Sequence, residues 1–272
     1  MRHARSLFFA FFLLQPVSDT FASLDPIATQ RIVEQSIAAA QQAASQYRKA
    51  AEHGDAAAEF NLGACYASGL GVSQDAQQAV YWYRKAAEQG YSAAQNNLGA
   101  SYASGQGVAQ DYQQAVYWYR KAAEQGHAAA QNNLGACYGT GQGVAQDSQQ
   151  AIFWFRKAAE QGDVTAQFNL GALYGTGKGI AQDDHQAIFW FHKAAEQGDA
   201  AAQFNLGVLY SQGKGVAQDN SQAYVWFSVA AANGQSKATD DRNHVAEKLS
   251  KSQLAAAQKL AGQYCEKYQS RR

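Results

Sequence analysis

Two short motifs are the candidates for catalysis or phosphate binding in this sequence. Ser211 to Lys214 spells S-x-x-K, the opening motif of penicillin-binding enzymes, in which the serine is the nucleophile. No Ser-Asp-Asn or Lys-Thr-Gly motif accompanies it. Glycine pairs such as Gly69 and Gly71 resemble part of a phosphate-binding loop, but that loop follows a strand and needs a third glycine. We therefore predict no catalytic residue and no bound nucleotide.

The cysteines and histidines do not follow a metal-binding or disulfide pattern. Cys65 and Cys137 occupy the same position of a repeated unit, two copies apart. Stacking steps of about 8–10 Å place them roughly 20 Å apart, beyond the ~7 Å limit for a disulfide. Cys265 is either a semi-buried residue or a partner for a disulfide between chains. The histidines lack zinc-ligand spacing, so we predict no metal and no cofactor.

Asparagine recurs at one position of the repeated unit, and we call these residues the Asn column. A carboxamide offers two donors and an acceptor, which suits it to hold the backbone amides of an extended peptide. The alternative is that the asparagines bond a neighbouring turn of the protein itself. Positions around the column vary and add apolar side chains. The predicted partner-binding residues are Asn61, Asn97, Asn133, Asn169, Asn205, Phe168, Phe204, Leu173 and Leu209.

The overall charge excludes partners that bind through a strong electrostatic field. The 272 residues contain 22 Lys and Arg and 22 Asp and Glu, so the formal net charge is zero. Basic pairs such as Arg84-Lys85 recur beside an acidic column that begins at Glu88. This ladder cancels much of its own field and indicates a solvated helix face. We predict protein or peptide partners and no nucleic acid.

The elements that position these residues are set by a repeat of 36 residues. Glycine recurs every 36 residues from Gly54 to Gly234, and the five tryptophans recur with the same spacing. Five copies therefore run over residues 55–234. The tryptophans are Trp82, Trp118, Trp154, Trp190 and Trp226.

Each copy is predicted to form two antiparallel helices. In the first copy Ala58, Leu62 and Tyr66 share one helix face, and Gly63 indicates that a neighbouring helix approaches closely. Asp75 is the predicted N-cap of the second helix, and Gly90 is the predicted residue after its end. The aromatic column of the second helices, Tyr81, Tyr117, Phe153 and Phe189, is either a second binding surface or, as we expect, buried by packing between copies.

These segments resemble a known family. Residues 54–66, 69–75 and 79–90 are similar to the Sel1-like repeat, a relative of the tetratricopeptide repeat, and the resemblance covers all five copies. It implies an all-α fold, a right-handed α/α superhelical solenoid whose first helices line a concave groove. Family members are mostly adaptors that bring proteins together, and many are exported by bacteria. Some cysteine-rich relatives are linked to β-lactams, but they carry two cysteines per copy, unlike this chain.

The two ends of the array are predicted to be capping segments. Residues 23–54 are interpreted as an N-terminal capping helix or half repeat, because Tyr47 to Gly54 matches the end of a second helix. Residues 235–272 are interpreted as C-terminal capping helices, the last of which opens with the capping box Ser250 to Gln253. Such ends cover the apolar faces of a solenoid with polar surface.

The first 22 residues have the pattern of a cleaved signal peptide. Arg2 and Arg5 precede the apolar run Leu7 to Leu14, and Thr20 and Ala22 suit a signal peptidase. The run is too short for a membrane span, which needs about 20 apolar residues. We therefore predict an exported protein, periplasmic or secreted, with an uncleaved N-terminal anchor as the alternative.

Three functional hypotheses follow from the sequence. The favoured one is a non-enzymatic scaffold or adaptor that binds protein or peptide partners in the concave groove. A secreted host-interaction or virulence factor would use the same groove in a different location. A β-lactam or cell-wall hydrolase would need one irregular copy with catalytic residues, whereas the copies here are closely alike. The oligomeric state is left open.

Overall fold

The computed structural model describes residues 26–268, and side chains from residue 29 onward. These residues form thirteen helices and no strand. The predicted signal peptide, residues 1–22, lies outside the described residues. The chain divides into two compact units, Met1–Ala122 and Ala123–Arg272, and the helix Tyr112–Glu124 contains their boundary.

The first unit contains a long helix followed by two repeats. Its helices are α1 (Pro26–Glu52), α2 (Ala56–Ser68), α3 (Ala76–Glu88), α4 (Ser92–Ser104) and α5 (Tyr112–Glu124). Neighbouring helices pack in chain order: α1 against α2, α2 against α3 and α3 against α4. The long helix α1 therefore packs against the first helix of the first repeat, as α3 packs against the first helix of the second.

The second unit contains three repeats followed by two further helices. Its helices are α6 (Ala128–Thr140), α7 (Ser148–Glu160), α8 (Val164–Thr176), α9 (Asp184–Glu196), α10 (Ala200–Gln212), α11 (Asn220–Ala232), α12 (Ala238–Ala246) and α13 (Lys251–Tyr268). Helices α6 to α11 again pack in chain order, and both α12 and α13 pack against α11. The predicted all-α solenoid of helix-turn-helix repeats with helices at both ends is confirmed.

Capping residues set where the repeat helices begin and end. One carboxylate oxygen of Asp75 accepts hydrogen bonds from the backbone N–H groups of Gln77 and Gln78, both at 3.0 Å. Gly90 has φ +90°, a left-handed conformation that side chains rarely adopt. At α13, Ser250 and Gln253 form the reciprocal bonds of a capping box. The predicted helix boundaries are therefore set by local hydrogen bonds.

The core repeats the same contacts in every copy. Leu62 and its equivalents are completely buried between the helices of a pair. A Cβ on Gly63 would lie 2.7 Å from the ring of Tyr83, and one on Gly207 would lie 2.6 Å from the ring of Phe227. The close helix approach predicted from the glycine column is confirmed. Burial of each such leucine stabilises the fold by about 1.5–3 kcal/mol.

A ladder of buried glutamines joins successive helices, and the sequence analysis did not identify it. The side-chain amide of Gln203 donates to the backbone oxygen of Ala195 at 3.0 Å. Its own oxygen accepts from Asn233 at 2.9 Å. Gln95, Gln131 and Gln167 are buried in the same way, and Glu59 takes this position in the first repeat. The buried glutamine amides donate to backbone oxygens of the preceding helix, which helps to fix the stacking of the helices. In the first repeat one carboxylate oxygen of Glu59 accepts from Gln89 at 2.7 Å, and the other has no hydrogen bond.

Candidate functional site

The Asn column lies on the first helix of every repeat. Its five members are all half-buried, between the buried leucine column and solvent. Asn97, Asn169 and Asn205 have different hydrogen-bond partners, so these three do not share one structural bond. The side that carries this column is called the Asn face below.

In the first unit the Asn face contains a cavity of about 290 Å³. Asn97 and Ser101 of α4 line it together with Tyr83 of α3, and alanines form much of the remaining wall. A hydrogen bond joins Asn97 to the hydroxyl of Tyr83, and Asn97 also accepts from Asn96 at 3.3 Å. The cavity thus combines the carboxamides of Asn97 and Gln106, three hydroxyls and an apolar wall of alanines.

In the second unit the asparagines bond other parts of the Asn face. Asn169 donates to the side-chain oxygen of Asn132 at 3.0 Å, which links the first helices of two successive repeats. Asn205 donates to the backbone oxygen of Ala201 within its own helix at 2.9 Å. The structure therefore brings Asn132 and Asn169 together and directs the Asn205 amide back onto α10.

The four predicted apolar residues fall into two groups. Phe168 and Phe204 are half-buried, with ring centroids 5.8 Å from Phe191 and 5.5 Å from Phe227. Leu173 is also half-buried, whereas Leu209 is only 8% exposed. Leu209 therefore packs mainly in the core and exposes little surface on the Asn face.

Burial dominates the electrostatics of this face. It raises the pKa of the Tyr83 hydroxyl, and the hydrogen bond with Asn97 lowers that pKa in part. Burial also raises the pKa of the Cys65 and Cys137 thiols. These groups stay neutral near pH 7, so the Tyr83 hydroxyl and the two thiols add no charge to this face.

Comparison with known proteins gives the family. The Sel1 repeat matches residues 56–91, 92–127, 128–163, 164–199 and 200–235. The chain belongs to the Sel1 repeat family. A Sel1 repeat protein from Oxalobacter formigenes has a similar structure, with 34% sequence identity and a TM-score of 0.67 over 77% of this chain and 88% of that one.

Other solved structures share the Sel1 repeat fold. A putative Sel1 repeat protein from Klebsiella pneumoniae is 28% identical, with a TM-score of 0.50 over 74% of this chain and 98% of its own. The immunity protein PA5088 from Pseudomonas aeruginosa is 19% identical, with a TM-score of 0.52 over 91% and 83%, and shows the fold alone. A search of curated proteins finds no match. The relatives are bacterial proteins, and the fold is typical of protein-interaction scaffolds.

The aromatic column of the second Sel1 helices is not buried, and our expectation for it was wrong. Its members are 47–51% exposed: Tyr81, Tyr117, Phe153 and Phe189. Each ring instead meets the tryptophan that follows it edge-on, at about 5 Å between centroids. Packing between repeats uses the tryptophan of each pair, because that residue points into the stack, and leaves its neighbour in solvent.

Metal-ligand clusters and membrane-spanning helices are absent from the part of the chain that the structure describes. Residues 26–268 contain no group of three or more His, Cys, Asp or Glu side chains that could hold a metal ion. None of their helices combines the length and the hydropathy that a membrane span needs. Cys265 is partly exposed on α13 and unpaired within the chain.

Proposed function

We propose that this Sel1 repeat protein is a non-enzymatic scaffold that binds an extended segment of a protein partner on its Asn face. The observation that carries the proposal is the cavity beside Asn97, Ser101 and Tyr83. It lies beside the core that all repeats share, and it combines the recurring Asn97 with Ser101, whose position varies between repeats.

The chemistry of the cavity suits a peptide backbone. The Asn97 carboxamide can donate to a backbone carbonyl, and the Ser101 hydroxyl can donate or accept. Alanines at the wall leave room for one small or medium apolar side chain of the partner. In the second unit, Phe168 and Phe204 offer half-exposed aromatic surface on the same face of the repeat. We infer that these rings contact apolar side chains of the partner.

We further propose that the scaffold is exported across the inner membrane. The support is the sequence of residues 1–22, with its basic start, apolar run and small residues before Ser23. Fractionation of the native host, with mass spectrometry of the N-terminus, tests this proposal. A mature chain that begins at Ser23 in the periplasm or medium is expected. An intact N-terminus in the cytoplasm contradicts export.

The binding proposal is tested by filling the cavity without disturbing the fold. Leucine occupies the position of Ser101 in two later repeats, at Leu173 and Leu209, so Ser101→Leu is compatible with a Sel1 repeat. Ser101→Ala is the matched control that keeps the cavity open. We expect cross-linking in the native envelope to capture a protein with the wild type and Ser101→Ala, and at least about tenfold less of it with Ser101→Leu. Equal capture by all three forms contradicts binding at this cavity.

A further inference from the structure

An arginine recurs at one position of α1 and of the second helices, up to the third repeat. These exposed arginines are Arg48, Arg84, Arg120 and Arg156. The last of them donates to the hydroxyl of Tyr174 in the next repeat at 2.7 Å. The fourth repeat has His192 at this position, with its Nε2 atom 3.3 Å from the hydroxyl of Tyr210, the equivalent of Tyr174. The histidine therefore keeps the contact with the tyrosine and gives up the permanent charge.

This exchange lies where the C-terminal helix covers the array. The rings of Tyr264 and Tyr268 of α13 pack against Trp226 of α11, with centroid distances of 5.4 and 6.0 Å. The ring of His192 meets the same tryptophan edge-on at 5.3 Å. His192 is half-buried as a result, whereas the four arginines are exposed. We call this group the C-terminal cluster, and its members are His192, Tyr210, Trp226, Tyr264 and Tyr268.

Other contacts hold α13 without any group that titrates near neutral pH. Ala257 and Ala261 pack against Val225, which is completely buried. The backbone oxygen of Tyr268 accepts from the side chain of Asn233 at 3.0 Å. Apolar contacts and hydrogen bonds between neutral groups do not change between pH 5 and 8, whereas histidine gains a proton in this range. The histidine of the C-terminal cluster is therefore the point at which pH acts on these docking contacts.

The charged groups around His192 come from three helices. On α9 itself, Glu196 lies one turn along and interacts electrostatically with His192. The same carboxylate interacts with Lys267 of α13. Asp219, the N-cap of α11, acts on the Tyr210 hydroxyl, and the phenols of the cluster are neutral in this pH range. A proton on His192 therefore adds a cation beside the carboxylate that Lys267 already uses.

The docked and undocked states of α13 bind this proton with different strength. Burial lowers the pKa of His192, and the charge of Glu196 raises it only in part. Without α13 the position is open to water, as the exposed Arg156 shows one repeat earlier, so the pKa returns toward the ordinary value of about 6.5. The docking of α13 is therefore most stable above about pH 6.5 and weakens as the pH falls through the lower docked value.

We propose that His192 is a pH-sensitive latch for the C-terminal helix: α13 stays docked at neutral pH, and protonation of the imidazole releases it in mildly acidic surroundings. Release uncovers Val225 and Trp226, so an apolar surface at the end of the array becomes accessible only in acid. An arginine at this position would carry its charge at every pH, which accounts for the exchange in the one repeat where α13 lies over it. The latch shares no residue with the Asn face and does not depend on the function proposed there.

Amide hydrogen exchange of the full chain tests the latch. Mass spectrometry at pH 7.5 and 5.5, corrected for the intrinsic pH dependence of exchange, gives the protection of residues 257–268. In the wild type this protection should fall at least about threefold at pH 5.5, with a limit of about tenfold set by the ordinary histidine pKa. His192→Gln is neutral at both pH values and should keep its protection. His192→Arg is charged at both and should have low protection throughout.

The three proteins control for one another. The other histidines titrate in all of them, so only the difference between the wild type and His192→Gln reports on the latch. Helix α8 should stay equally protected, which shows that the array is folded, and if His192→Arg loosens α8 as well, the comparison with His192→Gln decides. An equal fall in the wild type and His192→Gln overturns the proposal. Full protection of a folded His192→Arg protein at pH 7.5 also overturns it, because a cation would then not disturb docking.

Discussion

The Asn face differs between the second and the fifth repeat, although the core beneath it is the same. In the second repeat, Ser101 lines a polar cavity beside Tyr83, and Asn96 precedes the cavity residue Asn97. In the fifth, the equivalent positions hold Phe204, which packs on Phe227, and Leu209, which is buried. Larger apolar side chains therefore take the positions that Asn96 and Ser101 hold in the second repeat. The comparison shows that a regular array can vary its surface one position at a time.

The core tolerates this variation because its contacts are made by other columns. Leu98 and Leu206 are both completely buried. The glycine that follows each leucine lies against an aromatic ring in both repeats, since an added Cβ would approach Tyr119 or Phe227 to 2.7 Å or less. The residues that fix the helix pair and the residues that vary on its surface are thus different side chains of one helix.

The largest expected effect tests whether the two cores are equivalent. Leu98→Ala and Leu206→Ala should each lower the free energy of unfolding by about 2–5 kcal/mol, because each removes a fully buried side chain and leaves a cavity. Urea unfolding followed by tryptophan fluorescence measures both. If the two losses of unfolding free energy differ by more than about 2 kcal/mol, the leucine does not contribute equally to the core of each repeat.

Exchanging the aromatic residue between the two repeats should have effects of opposite sign. Phe204→Asn should lower the free energy of unfolding by about 1–2 kcal/mol, since a half-buried ring and its contact with Phe227 are lost. Asn96→Phe should be neutral or stabilise by up to about 1 kcal/mol, because Phe60 makes such a contact with Tyr83 in the first repeat. Thermal unfolding of both variants measures the pair. Destabilisation by Asn96→Phe would mean that the second repeat has no room for a ring.

Removing one hydroxyl should make the first repeat more like the third, fourth and fifth. Tyr83→Phe should cost about 0.5–1.5 kcal/mol, because Asn97 loses a hydrogen-bond partner while the ring contact with Gly63 is kept. Phenylalanine is native at this position in Phe155, Phe191 and Phe227. A double-mutant cycle with Asn97→Ala measures the coupling. Additive effects would show that the Tyr83–Asn97 bond contributes nothing to the fold.

The smallest expected effect concerns the helix caps and depends on pH. His127 caps α6 by accepting from Ala130 at 3.3 Å, whereas Asp163 and Asp199 cap the first helices of the next two repeats. Burial lowers the pKa of His127, so the unfolded chain binds the proton more readily. Stability from this cap is therefore present above the unfolded pKa of about 6.5 and is lost as the pH falls through the lower folded value.

His127→Asp should remove that part of the pH dependence. Aspartate stays ionised down to about pH 4, so the cap persists at pH 5.5. Between pH 7.5 and 5.5 the wild type should lose about 0.5–1 kcal/mol more than the variant in urea unfolding. His192 titrates in both proteins, and its contribution cancels in the difference. Parallel pH profiles would show that the histidine cap adds no stability.

Much of the fold could be predicted from the sequence because its signals are local and repeated. Asp75 caps the start of a helix with its carboxylate, and Gly90 follows a helix end in a left-handed conformation. Gly63 and its equivalents mark a close helix contact in every repeat. The buried ladder that includes Gln203 was missed, although it also recurs every 36 residues, because glutamine is usually a surface residue. The exposure of Phe153 was predicted wrongly because large aromatic rings are usually buried, whereas this ring is 47% exposed.

The sequence by itself determined the repeat length, the helix pairs, their caps and the family, because each of these depends on residues within one copy or on its exact recurrence. Only the tertiary structure decided which polar positions are buried, which aromatic rings stay in solvent and where cavities remain. Those properties depend on how neighbouring helices share space. Ser101 and Leu209 occupy the same position in the sequence pattern, yet one lines a cavity and the other is buried.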